Sequence, residues 1–403
     1  MTTSPDAVIV ATARSPIGRA FKGSMVDLRA DDLTATIVRA ALDEIPQLDP
    51  AELDDVMVGC AQPGGEQGFN IARVVSVLLG LDEVPGTTVA RYCSSSLQTT
   101  RMAMHAIRSG EATAVVAAGV EMVSRFGKGN SDRLPDTRNP RFMPAEERVG
   151  DGAWSSARDL GGLPDVYVNM LRTAENVAAR EGVSREAQDA FALESQKRWA
   201  AAEGRGRWAR EITPIRLLDG RVLEYDECPR PMTTAEKLAE LKPAVGEGGT
   251  VTAGNACPLN DGAAAMVVMS SVRARELGIK PLARIVSTGV SALDPELMGL
   301  GPVESSRRAL KLAGMTVGDI DLVEINEAFS AQVLPSCDRL GLDLDRVNVC
   351  GGAIALGHPF GMTGVRMAIT LLNNLRERDE TIGLETLCVA GGQGMAMVVE
   401  RLS

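Results

Sequence analysis

Two cysteines and a histidine in this 403-residue chain stand where side chains become reactive. Cys93 falls in residues 89–101, VARYCSSSLQTTR, where an apolar β-like run gives way to a helix whose apolar spacing begins at Leu97. A cysteine at a helix N-terminus faces free backbone N–H groups and the positive end of the helix dipole, and both favour the nucleophilic thiolate. The same residues would also suit a structural cysteine beside serine caps. His358 lies in residues 348–366, NVCGGAIALGHPFGMTGVR, among glycines at 351, 352, 357, 361 and 364. Such a density of glycine indicates close backbone approach or unusual φ/ψ, and imidazole can accept and return a proton near neutrality. The alternative is a tight turn with an incidental histidine. Cys388, in LCVAGGQGMAM, precedes glycines whose free amides could hold a developing oxyanion, or else is a core cysteine at a strand end. In residues 324–329, EINEAF, Asn326 can orient a water or donate a hydrogen bond and Glu327 can fix a neighbouring base. A capped helix start would use the same residues.

Strands alternating with helices would position these groups. Residues 7–13, 53–59, 87–91 and 113–119 read as strands, and residues 32–42, 70–79 and 97–107 as helices. Several strands are continuous Val/Ile/Ala runs, the pattern of a mostly parallel sheet covered on both faces. Residues 126–152 are polar and rich in Gly and Pro, and read as loop. Helices are expected at 169–179 and 184–199, with Ser184 as N-cap, and a β-excursion at 217–227. The α/β texture returns at Thr250, and a strand at 283–286 begins a second unit.

That second unit repeats the first. Residues 309–326 follow the pattern of residues 40–59, and Arg366-Met367-Ala368 repeats Arg101-Met102-Ala103. Cys93 stands eight residues before Arg101, and His358 eight before Arg366. Pseudo-symmetric halves would put both at equivalent helix starts, at the carboxyl ends of strands where ligand sites lie. A cysteine and a histidine so placed form a nucleophile–base pair.

Composition narrows the function classes. With 42 basic and 53 acidic residues the net charge is −11, which argues against a nucleic-acid partner. Seven cysteines are not a secreted disulfide framework, and two histidines (His105 and His358) without a CxxC pair give no zinc ligand set. The first residues show no signal-peptide pattern, and no apolar run reaches the ~18 residues that span a bilayer. A soluble protein of the reducing cytoplasm is expected.

Taken together, the Cys93 loop, the NEAF tetrad, the His358 glycine block and the Cys388 glycine block resemble the motifs of thiolases, the acetyl-CoA acyltransferases, and fall in that family's order. The resemblance runs from Val8 to the C-terminus and includes GNACPLNDGAAA (254–265), NIAR (70–73) and TAENVA (173–178). It implies an α/β fold of duplicated βαβαβαββ halves in a five-layered α-β-α-β-α arrangement. Residues 1–125 with 250–275 would form the first half, 126–249 an inserted CoA-binding loop subdomain, and 276–403 the second half.

Position by position, the resemblance makes Cys93 the acyl-accepting nucleophile, His358 its base and Cys388 the mover of the α-carbon proton. Asn326 would hold a water that forms one oxyanion hole with His358, and the amides of Cys93 and Ala390 the other. Arg230 matches an arginine near the CoA adenine, though an ordinary surface arginine is the other reading. Met170, Ala253, Gly254, Met298, Ala328 and Phe329 match pantetheine or acyl contacts. Cys257 replaces a common serine near the CoA chain. Other departures are Ala90 and Ser96 in the nucleophile loop, Ala390 for a glycine, and Asn169 where short-chain biosynthetic members carry histidine. CoA is then a co-substrate, with no permanently bound cofactor or metal, and a homodimer or homotetramer is expected. The implied activity is thiolytic cleavage of 3-ketoacyl-CoA. The alternatives are biosynthetic condensation of acetyl-CoA, and a non-catalytic acyl-CoA- or lipid-binding relative, which would be expected to lose one of the four catalytic positions. A ketoacyl-ACP synthase would place His or Asn where Cys388 stands.

Overall fold

The computed structural model describes residues 5–128, 138–148 and 154–403. The first half holds β1 (Ala7–Arg14), the two-residue β2 (Gly18–Arg19), α1 (Ala30–Asp43), β3 (Asp55–Cys60), α2 (Ile71–Leu78), β4 (Gly86–Val89), α3 (Ser95–Ser109) and β5 (Ala114–Met122). An excursion follows, with α4 (Met143–Arg148), α5 (Met170–Glu181), α6 (Arg185–Glu203), a hairpin of β6 (Ile215–Arg216) and β7 (Val222–Leu223), and α7 (Ala235–Ala239). The chain returns as β8 (Asn260–Ser270) and α8 (Ser271–Glu276). The second half holds β9 (Ala283–Ala292), α9 (Gly301–Ala313), β10 (Leu322–Ile325), α10 (Ser330–Leu340), α11 (Ala353–Leu356), α12 (Thr363–Arg378), β11 (Ile382–Val389) and β12 (Gln393–Arg401).

The strand order displays the duplication. The first half runs β4-β3-β5-β8-β1, parallel from β4 to β5 and antiparallel from β5 to β1. The second runs β10-β11-β12-β9, with β10 and β11 parallel and the rest antiparallel. A single parallel bridge from Val347 to Val323 takes the place that β4 has beside β3. The two sets join where β1 pairs with β9 at Val8–Arg284 and Ile9–Ala283.

Packing produces five layers. Leu33, Ile37 and Val38 of α1 cover Val56, Val116 and Val267 on one outer face. On the other outer face, Leu310 of α9 and Val333 of α10 cover Val323, Leu384 and Val398. Between the sheets, Leu97, Met104 and Ile107 of α3 pack in one cluster with Val365, Ile369 and Leu372 of α12. Burial from both sides explains why 12 of the 16 residues of α12 are buried. It also explains why β5 and β8 are buried at every position rather than alternating.

Four expectations need correction. The sheet expected to be mostly parallel is mixed: β3 lies parallel to β4 and β5, and β10 to β11, while its other strand pairings are antiparallel, so the continuous apolar strands reflect burial on both faces rather than parallel pairing. The β-excursion at 217–227 is only the short β6–β7 hairpin, turned at Asp219 and Gly220. The loop expected over 126–152 contains the short α4, while residues 129–137 and 149–152 lie outside the described residues. The register of the repeat is out by three residues, because Arg101 is the seventh residue of α3 and Arg366 the fourth of α12. His358 therefore lies in a turn ahead of α12, not at its first residue. The excursion runs between β5 and β8, and its α5 and α6 pack on α10 and α11 of the second half.

Candidate active site

Parallel strands end on one side of the sheet, and β4, β10 and β11 each deliver a candidate residue there. Cys93 follows β4 in the helical turn Tyr92–Ser94 that runs into α3. Ser95 Oγ accepts the Arg91 amide at 2.9 Å and donates to the Tyr92 carbonyl at 2.7 Å, which holds that turn. Arg91 donates to Gln393 Oε1 at 2.8 Å, and Gln393 Nε2 donates to the Ala390 carbonyl at 3.3 Å. The nucleophile loop is thereby tied to the turn at residues 390–392. Both the Ala390 amide and the amide of Cys93 itself are directed at the Cys93 sulfur. The thiol is half-buried in a cavity of about 240 Å³ that Tyr92, Met170, Phe360 and Gly391 also line.

The resting state of Cys93 differs from the expected thiolate. Burial pushes its thiol up to about 12, against the pull of the two amides, and the carboxylate of Glu121 adds to the rise. The thiol must therefore give its proton to a base when it reacts. His358 is only 1 % exposed. Its Nδ1 lies 2.7 Å from Thr363 Oγ1, whose own proton goes to the Pro359 carbonyl at 2.7 Å. Nδ1 must then be the protonated nitrogen, which leaves the Nε2 lone pair facing Asn326 Nδ2 at 3.2 Å. Burial, with the nearby Arg366 charge, lowers the imidazole to about 3, so His358 rests neutral. Its backbone is fixed by the amide bond to Asn260 Oδ1 at 2.8 Å. Among the described residues no hydrogen bond joins Cys93 to His358 in this state.

Asn326 leaves β10 fully buried, with Oδ1 lacking a hydrogen-bond partner among the described residues. Cys388, the last residue but one of β11, is fully buried, packing in a cluster with Met298, Ala328 and Phe329 and with Met170 against that cluster. Burial and the neighbouring Cys93 and Cys257 raise its thiol well above the usual range, so it too rests protonated. Cys257 donates its amide to the Ala328 carbonyl at 3.0 Å, and its thiol is raised by burial and by Cys93. A third thiol thus stands beside the two expected ones.

The remaining expected contacts divide between two places. Arg230, Ala253 and Gly254 line a second cavity of about 420 Å³, together with Arg19 and Lys237. Ala256 lines that cavity and also packs in the Cys388 cluster, so residues 254–257 connect it to the thiols. Glu327 touches no base. It accepts from Asn348 Nδ2 at 2.8 Å, Ser195 Oγ at 2.7 Å and the Ile354 amide at 3.0 Å, anchoring the glycine-rich segment before His358. Ser96, a departure from the family pattern, accepts the Val365 amide at 3.0 Å and so caps the first turn of α12. Asn169 caps α5 through the Leu171 amide at 2.9 Å. Cys60, Cys228, Cys337 and Cys350 are buried, and His105 is exposed on α3.

Thr363, Asn260 and Glu121 were not singled out in the sequence. Thr363 stands five residues after His358 in the same glycine block, and Asn260 falls in the block 254–265. Neither spacing announces a bond to His358, because both bonds depend on how the turn at 357–362 folds.

Two like halves closing over thiols and an imidazole at strand ends are an arrangement shared with a known class of acyltransferases. The family descriptions "Thiolase, N-terminal domain" and "Thiolase, C-terminal domain" match residues 7–272 and 279–401. This chain belongs to the thiolase family, and it is an acyltransferase. It is 42% identical over 402 residues to an acetyl-CoA acetyltransferase of Allochromatium vinosum, covering 98% of this chain and 99% of that one. It is 41% identical over 408 residues to a 3-ketoacyl-CoA thiolase of Bacillus subtilis, with the same coverage. A crystal structure of the Bacillus anthracis acetyl-CoA acetyltransferase superimposes with a TM-score of 0.87 at 36% identity over the whole of both chains. Human mitochondrial 3-ketoacyl-CoA thiolase gives 0.86 at 36% identity, covering 99% of each chain.

Proposed function

We propose that this thiolase cleaves 3-ketoacyl-CoA with CoA, releasing acetyl-CoA and an acyl-CoA shorter by two carbons. The observation that carries this reading is the convergence of the Ala390 and Cys93 amides on the Cys93 sulfur. A carbonyl attacked by that sulfur would place its oxygen against the same amides, and one such donor is worth about 10²–10³-fold in rate. His358 Nε2 takes the Cys93 proton as sulfur bonds to the 3-keto carbon. The bond between carbons 2 and 3 then breaks, and its electron pair moves onto the acetyl unit as an enolate. The imidazolium and a water held on Asn326 Oδ1 stabilise the enolate oxygen, and Cys388 gives its proton to the carbon. Acetyl-CoA departs, the Cys388 thiolate takes the proton of incoming CoA, and the CoA sulfur displaces the acyl group from Cys93, whose thiolate recovers its proton from the His358 imidazolium.

Arg230, Ala253 and Gly254 fit the nucleotide and pantetheine of CoA in the second cavity, with Cys257 between that cavity and the thiols. The reverse condensation uses the same groups, and relatives named for either direction stand at nearly equal identity. Asn169 is already engaged in capping α5, which favours substrates longer than acetoacetyl-CoA over a strictly short-chain biosynthetic role. A homo-oligomer is supported by the terminal position of β4 in the sheet and by Phe69 beside it, 96% exposed with a left-handed φ of 38°. No helix among the described residues is long and apolar enough to cross a membrane. Loss of enolate absorbance with a series of 3-ketoacyl-CoA thioesters tests the function. Cleavage of chains beyond four carbons is expected, and no cleavage of any substrate would overturn it.

A further inference from the structure

Glu121, the eighth residue of β5, is a fully buried carboxylate that makes no salt bridge among the described residues. N–H donors surround it instead. Its Oε2 accepts the amides of Ala61 and Gly361, each at 2.9 Å, and its Oε1 accepts the Gln62 amide at 3.2 Å and Gln67 Nε2 at 3.0 Å. Cys60 Sγ lies 3.8 Å from Oε1. These donors come from two places. Residues 60–67 belong to the first half, and Ala61 and Gln62 line the Cys93 cavity, whereas Gly361 follows His358 by three residues in the second half.

The backbones of the two halves touch here. A Cβ on Gly361 would collide with the Val120 carbonyl oxygen, and one on Gly119 with the Gly361 carbonyl. Gly364 likewise has no room for a Cβ beside Leu97 of α3. With no side chains between them, the two halves are registered at this point by the Glu121 carboxylate. We propose that Glu121 is a positioning residue that clamps the His358 turn to the wall of the Cys93 cavity and so sets the relation between base and nucleophile. This rests on the reading of Cys93 and His358 as that pair.

A carboxylate without a counter-ion also leaves its charge on its surroundings. The titratable groups that face it are the thiols of Cys60 and Cys93, and Glu121 contributes to the rise of both. Burial raises Glu121 itself to about 7 against the pull of its N–H donors, and once ionised its charge adds to the burial that keeps Cys93 a thiol.

Two variants separate reach from charge. Glu121→Asp keeps the charge but withdraws it by one methylene, and Glu121→Gln keeps the length but removes the charge. Both should lower kcat roughly 10- to 100-fold with KM changed less than about twofold, the size expected when a base is displaced by a fraction of an ångström to one ångström. Alkylation of Cys93 by iodoacetamide, followed against pH, should move to lower pH in Glu121→Gln and stay in place in Glu121→Asp. A merely structural carboxylate would leave that midpoint unmoved in both. In the unaltered protein the Gly361 and Ala61 amides should exchange with deuterium as slowly as those of β5. Folded variants that retain kcat within twofold, or rapid exchange at Gly361, would overturn the proposal. The alkylation and exchange measurements need no thiolase turnover, so they decide the clamp even where the substrate reading fails.

Discussion

Thr363 shows how much of the chemistry depends on one hydroxyl. It passes its proton to Pro359 and takes one from His358 Nδ1, which fixes the tautomer. Thr363→Val removes the acceptor while keeping the shape, so Nδ1–H is left buried and the free lone pair is no longer directed to Nε2. A loss of kcat of about 10²-fold is expected, with the fold retained by circular dichroism, the scale of one positioned acid–base group. The two cysteines should also divide the reaction. Cys93→Ala should give no acyl adduct by intact-mass spectrometry. Cys388→Ala should still acylate from acetyl-CoA but neither form nor cleave the C–C bond. Equal condensation by Cys388→Ala and the parent would remove Cys388 from its role. The residues proposed to react were legible as types in unusual settings, Cys93 at a helix start and His358 among glycines. The partners that tune them were not, since a hydroxyl or carboxylate becomes a partner only when the chain brings it within 3 Å.

Elements position these groups through their ends. α3 and α12 start side by side, and Ser96 of one caps Val365 of the other. Ser96→Ala should destabilise the protein by about 1 kcal/mol, the worth of one capping hydrogen bond, as measured by urea denaturation. Ser96→Gly, the more common choice in the family, should lose the same cap, so the serine here is a local gain in stability rather than part of the chemistry. Helices and strands were readable from period and punctuation, and Ser184 caps α6 as its position suggests. The three-residue offset between α3 and α12 was not readable, because α11 (Ala353–Leu356) and the glycine turn insert length without altering the hydrophobic pattern. A repeat in apolar period locates elements, but it does not count the residues in the turn that precedes them.

At the scale of the molecule, a buried chain of charges ties the excursion to both halves. Arg14 of β1 pairs with Asp226 at 2.8 Å and Glu211 at 3.1 Å, and Arg207 joins Glu211 at 2.7 Å and donates to Asn374 of α12 at 3.0 Å. Arg14→Met would leave Asp226 without its cation in the interior and Glu211 with Arg207 alone. A loss of about 3–5 kcal/mol is expected by chemical denaturation, the range for breaking a buried pair from one side. Farther along, Asn374 donates to Glu324 at 3.2 Å, and burial raises Glu324 to about 8. A carboxyl raised in the folded state binds more protons than the unfolded chain between about 4.5 and 8. Stability is therefore lost as pH climbs through that window, at most about 1.4 kcal/mol per unit for one group. His358 acts in the opposite direction. It is neutral when folded down to about 3, so unfolding gains a proton below about 6.5 and stability falls as pH drops. Thermal midpoints should be highest between about pH 4.5 and 6.5, where the two slopes oppose each other, and Glu324→Gln should flatten the fall above that window. A Glu324→Gln protein with the parental alkaline slope would rule that carboxyl out as its source.

The amino-acid sequence by itself determined the α/β class, the two like halves and the identity of the thiols and imidazole, because hydrophobic period and glycine-rich motifs are local properties of the chain. Only the tertiary structure decided their state. Burial turned Cys93 from an expected thiolate into a thiol and His358 into a neutral base with a defined tautomer. It also brought Cys257 to the reacting thiols, and Glu121 and Thr363 to the elements that hold them. Desolvation and hydrogen bonding across more than two hundred residues of sequence, as from Glu121 to Gly361, exist only once the two halves have closed on each other.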